Sequence, residues 1–376
     1  MKILVAQSGG PTAVINATLT GVIERARDLG YEVIGGLHGV EGILESKSVD
    51  LSTLSGKMLN SISHTPGAYL GSCRYNLPQP PDGVYDVLFN FFNSNKIDAF
   101  LYIGGNDSMD SVEKISKEAQ RRKYPLLVGG IPKTVDNDLV ETDHCPGYPS
   151  AAKFLNVIAS EFVVDSMAYS KPVICIIETM GRDSGWLASS LKMVEKIVDG
   201  LKVMILIPEL PVSEEKLLDT VNDMKSPLLI SVSEGIINEE GKYLSALETV
   251  DNFGHPKLGG AGEHVATLIE KIAKVKFMNP AFSQRAATHI ISEVDYREAK
   301  GVGAAAVDTL AEGKNAFFVG IERVQASIGY SSTIRIVSID RVANEVRKVP
   351  ESLFENEFID YIAPLIGKLP KYAFRR

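Results

Sequence analysis

The apolar residues of this chain gather in short unbroken runs. Each run gives way to glycine and small polar residues, then to apolar positions at helical spacing. Residues 3–6 are wholly apolar, Gln7-Ser8-Gly9-Gly10-Pro11-Thr12 reads as a turn, and Val14, Ala17, Leu19, Val22, Ile23 and Ala26 then recur every few residues. This predicts strand, glycine turn, helix. Such a turn leaves the first N–H groups of the helix facing outward, where phosphate binds well, although many α/β proteins open on a tight glycine turn for packing alone.

The same signals repeat. Strands are expected at residues 32–36, 97–103 and 125–128 and helices at 82–94 and 108–122, with an irregular, glycine-punctuated loop at 65–74. A helix at 150–168 leads to a second alternation: strands at 173–177, 201–207 and 227–232, helices at 186–198 and 213–223, a loop at 251–262 and a helix at 263–274. Residues 276–285 read as strand or loop, 297–311 as helix, 316–321 as strand, 334–337 as an edge strand and 353–366 as a closing helix. Repeated strand–helix alternation builds βαβ units, so the expected class is α/β with two mostly parallel sheets.

Length agrees with two sheets, because 376 residues exceed one ordinary core and fit two lobes at ~100–200 residues each. An apolar fraction of 45% and a charged fraction of 23% are ordinary globular values. A net charge of −8 argues against nucleic acid as a partner, which requires a basic footprint. Cys73, Cys145 and Cys175 are far apart and odd in number, which points to neither a disulfide framework nor a zinc site and fits a reducing cytoplasm. Ser8-Gly9-Gly10-Pro11 breaks the apolar start before a signal peptide accumulates, and no run approaches the ~20 residues that cross a bilayer. His38, His144, His255 and the other histidines show no metal-ligand spacing and receive no role.

Candidate chemistry collects at the expected strand ends, the edge where open α/β sheets bind ligands. There stand Gly104-Gly105-Asn106-Asp107-Ser108, Pro132-Lys133-Thr134-Val135-Asp136-Asn137-Asp138, Glu178-Thr179-Met180-Gly181-Arg182-Asp183-Ser184-Gly185 and Ser233-Glu234-Gly235. Phosphoryl transfer needs a base for the acceptor hydroxyl, cations on the moving phosphoryl group and donors that align both substrates. Asp136 suits the base, Lys133 a phosphate clamp, and Asp107 and Asp138 carboxylates near Mg²⁺, which takes only one or two protein carboxylates plus phosphate oxygens. Taken singly, Asp136-Asn137-Asp138 reads as an Asx turn or helix cap, Lys133 and Arg74 as solvated loop residues and Glu234 as a cap. What favours a site is that several glycine-plus-charge clusters fall at strand ends together. Neither G-x-x-x-x-G-K-[ST] nor G-x-G-x-x-G occurs, which argues against a P-loop NTPase and a nicotinamide dehydrogenase.

Together these clusters resemble the phosphofructokinase family, and more closely its pyrophosphate-dependent branch. The matching pieces are SGGPTAVINA at residues 8–17, GSCR ending at Arg74, GGNDS at 104–108, PKTVDND at 132–138, MGRDSG at 180–185, SEG at 233–235 and Gln284-Arg285. The resemblance implies two Rossmann-like three-layer lobes: residues 1–140 plus about 286–334 for the phosphate donor, 141–285 plus about 335–376 for the sugar phosphate, with the reaction between them. It implies transfer from pyrophosphate to the 1-hydroxyl of fructose 6-phosphate, reversibly and with Mg²⁺. Asp136 would be the base, with Thr134 and Asp138 in its pocket. Met180, Gly181 and Arg182 would hold the sugar phosphate, Glu234 its ring hydroxyls and Arg285 its 6-phosphate. Gly10, Gly105, Asn106, Asp107 and Ser108 would face the donor, and Arg74 would sit between donor and acceptor.

Two positions bear on the donor. ATP-using relatives carry glycine where this chain has Asp107 and, usually, where it has Lys133. Aspartate would repel a nucleotide α-phosphate, and lysine would neutralise the terminal phosphate of pyrophosphate. The sequence also departs from the family pattern. Asn106 replaces a metal-associated aspartate, which moves the expected metal contact to Asp107, and Phe282 replaces a histidine or tyrosine at the 6-phosphate. Val173 replaces an arginine that reaches a neighbouring subunit's site, so the resemblance implies a homodimer, with a homotetramer as the alternative. ATP as donor, sedoheptulose 7-phosphate as acceptor, and a non-catalytic sugar-phosphate-sensing subunit stand as rival readings.

Overall fold

The structure, a computed structural model, describes residues 1–224, 227–244, 246–250, 256–324, 329–354 and 357–373. The chain opens with β1 (Lys2–Gln7), α1 (Ile15–Asp28), β2 (Glu32–Gly36), α2 (Gly39–Leu44), β3 (Ser48–Asp50), α3 (Gly56–Ser63), α4 (Val84–Ser94), β4 (Ala99–Gly104), α5 (Asn106–Arg122) and β5 (Leu127–Pro132). Next come α6 (Tyr148–Met167), β6 (Ile174–Thr179), α7 (Trp186–Ser190), β7 (Lys202–Leu206), α8 (Glu214–Asp223) and β8 (Leu228–Ser233). They are followed by β9 (Ala246–Val250), β10 (Pro256–Leu258), α9 (Ala261–Ile269), β11 (Val275–Met278) and α10 (Ser283–Ala286). The chain closes with α11 (Glu293–Ala311), β12 (Phe317–Val324), β13 (Ser331–Ser338) and α12 (Glu357–Ile366).

Two units result. Met1–Thr134, Leu139–Gly147 and Glu293–Val346 form the first; Val135–Asp138, Tyr148–Ser292 and Arg347–Arg376 form the second. The first is built on a seven-stranded sheet of order β13-β12-β5-β4-β1-β2-β3, parallel except for its antiparallel edges β3 and β13. Its central strands are buried on both faces, which is why they read as unbroken apolar runs. Leu4, Phe100 and Tyr102 point into one core with Leu88 and Phe92 of α4 and Val112 and Ile115 of α5. Ile3, Val5, Leu101 and Ile103 point into the other with Leu19 and Val22 of α1 and Val302 and Ala306 of α11. The unit is therefore helix, sheet, helix, an α/β three-layer lobe.

The second unit repeats the plan with a parallel sheet of order β11-β6-β8-β7. Ile176, Ile230 and Val232 pack against Leu217 and Val221 of α8 and Val265 and Ile269 of α9. On the opposite side, Ser231 Oγ donates to the Ala188 carbonyl of α7 at 2.9 Å. The helix expected over 186–198 is α-helical only to Ser190 and continues as a 3-10 turn, Leu191–Lys196. Of the loop expected at 251–262, residues 251–255, with His255, lie outside the described residues, while Pro256–Leu258 pairs antiparallel with β9. Among the described residues no helix is long and apolar enough to cross a membrane.

Candidate active site

In the first unit the chain leaves β1 toward β2 on one side and later supplies β4 on the other, so the carboxyl ends of β1 and β4 flank the point where strand order reverses. Two glycine turns sit there. The turn after β1 is pinned by the 71–74 loop: Gly9 N donates to the Cys73 carbonyl at 3.1 Å, and Ser72 Oγ donates to the Gly9 carbonyl at 2.6 Å. The turn after β4 starts α5, with Gly105 at its N-cap and Asp107 as the acidic residue of its first turn. Gly105 adjoins Thr134, whose Cβ would lie 3.9 Å from a Cβ added at Gly105.

Lys133 joins these turns. It follows β5 directly, and its backbone N donates to the Gly104 carbonyl at 3.0 Å. The residue is 3% exposed and its Nζ donates to the Gly10 carbonyl at 2.9 Å, near enough to Gly9 that a Cβ there would lie 3.1 Å from it. A buried ammonium held beside two glycine turns and a helix N-terminus suits an anion. Ser108 is buried, Asn106 half-buried, and Asp107 and Arg74 exposed. Among the described residues no cluster of three or more His, Cys, Asp or Glu could enclose a metal. The exposed carboxylate of Asp107 is of the kind that suits a hard divalent cation, which keeps its waters and takes its other ligands from phosphate.

In the second unit, Asp136 is half-buried and its carbonyl accepts from Ser184 Oγ at 3.1 Å, while the Asp138 carbonyl accepts from Arg347 N at 2.7 Å. The β6 and β8 ends lie side by side and bring Gly181 to Glu234. Gly181 N donates to Glu234 Oε1 at 3.3 Å, and Ser233 Oγ donates to the Gly181 carbonyl at 2.5 Å. Met180 N donates to Gln284 Oε1 at 2.9 Å, which ties the same turn to α10. Burial pushes the Glu234 carboxyl up; the Gly181 N–H and the charges of Arg182 and Arg285 oppose that, and nearby Glu178 adds to it. Arg182 is half-buried, and Arg285 lies over the ring of Phe282, 4.9 Å from its centroid, with Phe282 itself 68% exposed.

Two residues that received no role from the sequence acquire several partners in the structure. Glu178, one residue beyond an apolar run, is buried and accepts from Gly262 N at 2.7 Å and Asn279 Nδ2 at 2.9 Å. His144, wholly buried in the first unit, is a charged group rather than an ordinary core histidine. It donates to Asp143 at 2.8 Å and to Glu298 at 2.7 Å. Arg323 also donates to Asp143, and Tyr330 and Ser332 to Glu298. Burial would depress His144, but the two carboxylates raise it to about 9.

Comparison with known proteins bears on the chain as a whole. The family model described as Phosphofructokinase matches residues 2–310. A pyrophosphate-fructose 6-phosphate 1-phosphotransferase of Xanthomonas campestris pv. campestris is 37% identical over 98% of this chain and 92% of its own length. One of Methylococcus capsulatus is 37% identical over 98% and 94%. The crystal structure of a pyrophosphate-dependent phosphofructokinase from Marinobacter aquaeolei, 33% identical, superposes with a TM-score of 0.84 over 100% of this chain and 93% of that one.

Proposed function

Because this chain belongs to the phosphofructokinase family, we propose that it transfers a phosphoryl group from pyrophosphate to the 1-hydroxyl of fructose 6-phosphate. The products are fructose 1,6-bisphosphate and phosphate, and the reaction runs in both directions as a cytoplasmic step of glycolysis. The first unit is the donor lobe and the second the sugar-phosphate lobe. The donor assignment is carried by Lys133, a buried ammonium at two glycine turns where ATP-using relatives usually have glycine. Asp107 supports it by setting a negative charge where a nucleotide would extend.

Asp136 takes the proton of the 1-hydroxyl as that oxygen bonds to phosphorus and the bond to the leaving phosphate breaks. Lys133 and Arg74 bind the donor and offset the charge of the transferring group, while Gly10, Gly105, Asn106 and Ser108 lie against its oxygens. Thr134 and Asp138 shape the pocket of the base. Met180, Gly181 and Arg182 orient the sugar phosphate, Glu234 accepts from its ring hydroxyls, and Arg285, with Phe282 beside it, binds the 6-phosphate. Asp107 would hold Mg²⁺, which would supply positive charge to offset that of the phosphate oxygens. The family habit supports a homodimer, which sedimentation would check.

A coupled assay for fructose 1,6-bisphosphate with pyrophosphate and ATP side by side tests the donor. Turnover is expected with pyrophosphate, and a higher kcat/KM with ATP would overturn it. An acceptor arm with sedoheptulose 7-phosphate measures how far the sugar lobe discriminates.

A further inference from the structure

Asp136, Asn137 and Asp138 are each tied to the body of the second unit by a hydrogen bond with a different segment. Ser184 Oγ holds the Asp136 carbonyl at 3.1 Å, and the Arg347 backbone holds the Asp138 carbonyl at 2.7 Å. Between them Asn137 adopts a left-handed conformation, with φ of 54°, and is wholly buried. Asparagine tolerates that conformation better than most residues. Its buried carboxamide must be satisfied inside the protein, and Asn137 Nδ2 donates to the Tyr361 hydroxyl of α12 at 3.1 Å.

The Tyr361 ring packs in an aromatic cluster, 5.4 Å from Trp186 and 5.7 Å from Phe358 between centroids, while Phe358, Ile362, Leu365 and Ile366 bury the helix's apolar face. A phenylalanine ring would fill the same place. The hydroxyl is therefore superfluous to packing, and it accepts from the residue that follows Asp136. We propose that Tyr361 is a positioning residue for the catalytic carboxylate, acting through Asn137, so that the closing helix of the chain holds the turn that aims Asp136. This rests on the reading of Asp136 as the base. A general base works only within hydrogen-bond reach of the proton it removes, and a displacement of about 1 Å can cost about 10²-fold in rate.

The test uses Tyr361→Phe, Asn137→Gly and the double variant of the full chain. Glycine keeps the left-handed turn accessible while removing the tie. Each single variant should lose about tenfold in kcat, equally in both directions of reaction, with KM for fructose 6-phosphate within about twofold of wild type. The double variant should be no worse than either single one, because one tie cannot be lost twice. An unchanged kcat in folded Tyr361→Phe, a rise in KM in place of a fall in kcat, or additive losses in the double variant would each overturn the proposal. If Tyr361→Phe proves unstable at the assay temperature, Asn137→Gly, which leaves the aromatic cluster intact, decides by the same criteria. Asp136→Asn, assayed alongside, separates the two claims. Retained turnover there removes the base assignment itself, whereas a dead Asp136→Asn beside an unaffected Tyr361→Phe removes only the positioning role.

Discussion

A methyl group added at Gly105, in the first unit, would meet nothing nearer than the Lys133 carbonyl at 3.7 Å. At Gly181, in the second unit, it would lie 2.4 Å from the Ser184 carbonyl, at a φ of +133° that side chains rarely adopt. The first glycine leaves room that the chain itself does not fill; the second is needed for the chain to close its own turn. Charge divides in a parallel way. In the first unit the buried Lys133 ammonium donates to a backbone carbonyl, while the second gathers Glu234 with Arg182 and Arg285, side chains of both signs. On the proposed assignment, a small, densely charged anion would meet glycine backbone and Lys133, and a polyhydroxylated sugar phosphate would meet acceptors and donors spread over several side chains.

The largest effect expected from this division lies in single side-chain removals. Lys133→Met should lower kcat/KM for pyrophosphate about 10²- to 10³-fold, as loss of a preorganised charge does, with KM for fructose 6-phosphate nearly unchanged. Glu234→Gln should raise that KM about tenfold, the scale of one hydrogen bond to a charged group, without altering KM for pyrophosphate. Steady-state kinetics with each substrate varied would break the comparison if either change moved both substrates alike.

A stability effect comes next. The folded pKa of His144 lies above its ordinary value of 6.5, so its contribution is fully present below 6.5 and is lost as pH rises through about 9. Thermal melts between those limits should show a falling Tm, and His144→Gln, which cannot titrate, should flatten that dependence while lowering Tm near neutral pH. The groups facing the imidazolium are Asp143 and Glu298, with Arg323 on Asp143 and Tyr330 and Ser332 on Glu298, so the difference between wild type and His144→Gln isolates this cluster. The smallest effects sharpen the contrast between the glycines. Gly181→Ala should cost about 1 kcal/mol or more of stability. Gly105→Ala should leave Tm unchanged and raise KM for pyrophosphate severalfold, and a loss of Tm there would show that this glycine too serves the chain.

Much of this was legible in the sequence because the strands are buried on both faces and the polar clusters are contiguous. Residues 97–103 and 173–177 could hardly be anything but interior strands, and the segments that follow them are short enough to read as units. What escaped was whatever depends on distant partners or on very short elements. The α2 turn begins from His38 in a left-handed conformation at φ of 55°, which no spacing rule anticipates. The α3 helix has eight residues in a stretch poor in apolar ones. His144 gains its charge from Glu298, 154 positions away, and Glu178 gains its partner from Asn279, 101 positions away. A lone buried-type residue in a sequence carries no mark of the ion that will neutralise it.

The sole tryptophan, Trp186, is fully buried in the second unit, with the Arg347 guanidinium 4.1 Å from its ring and Tyr361 beside it. Its fluorescence therefore reports on that unit alone. Denaturant curves followed by indole emission and by far-ultraviolet dichroism will coincide only if both units melt in one step, so a single natural chromophore makes the cooperativity of the whole chain measurable without labelling.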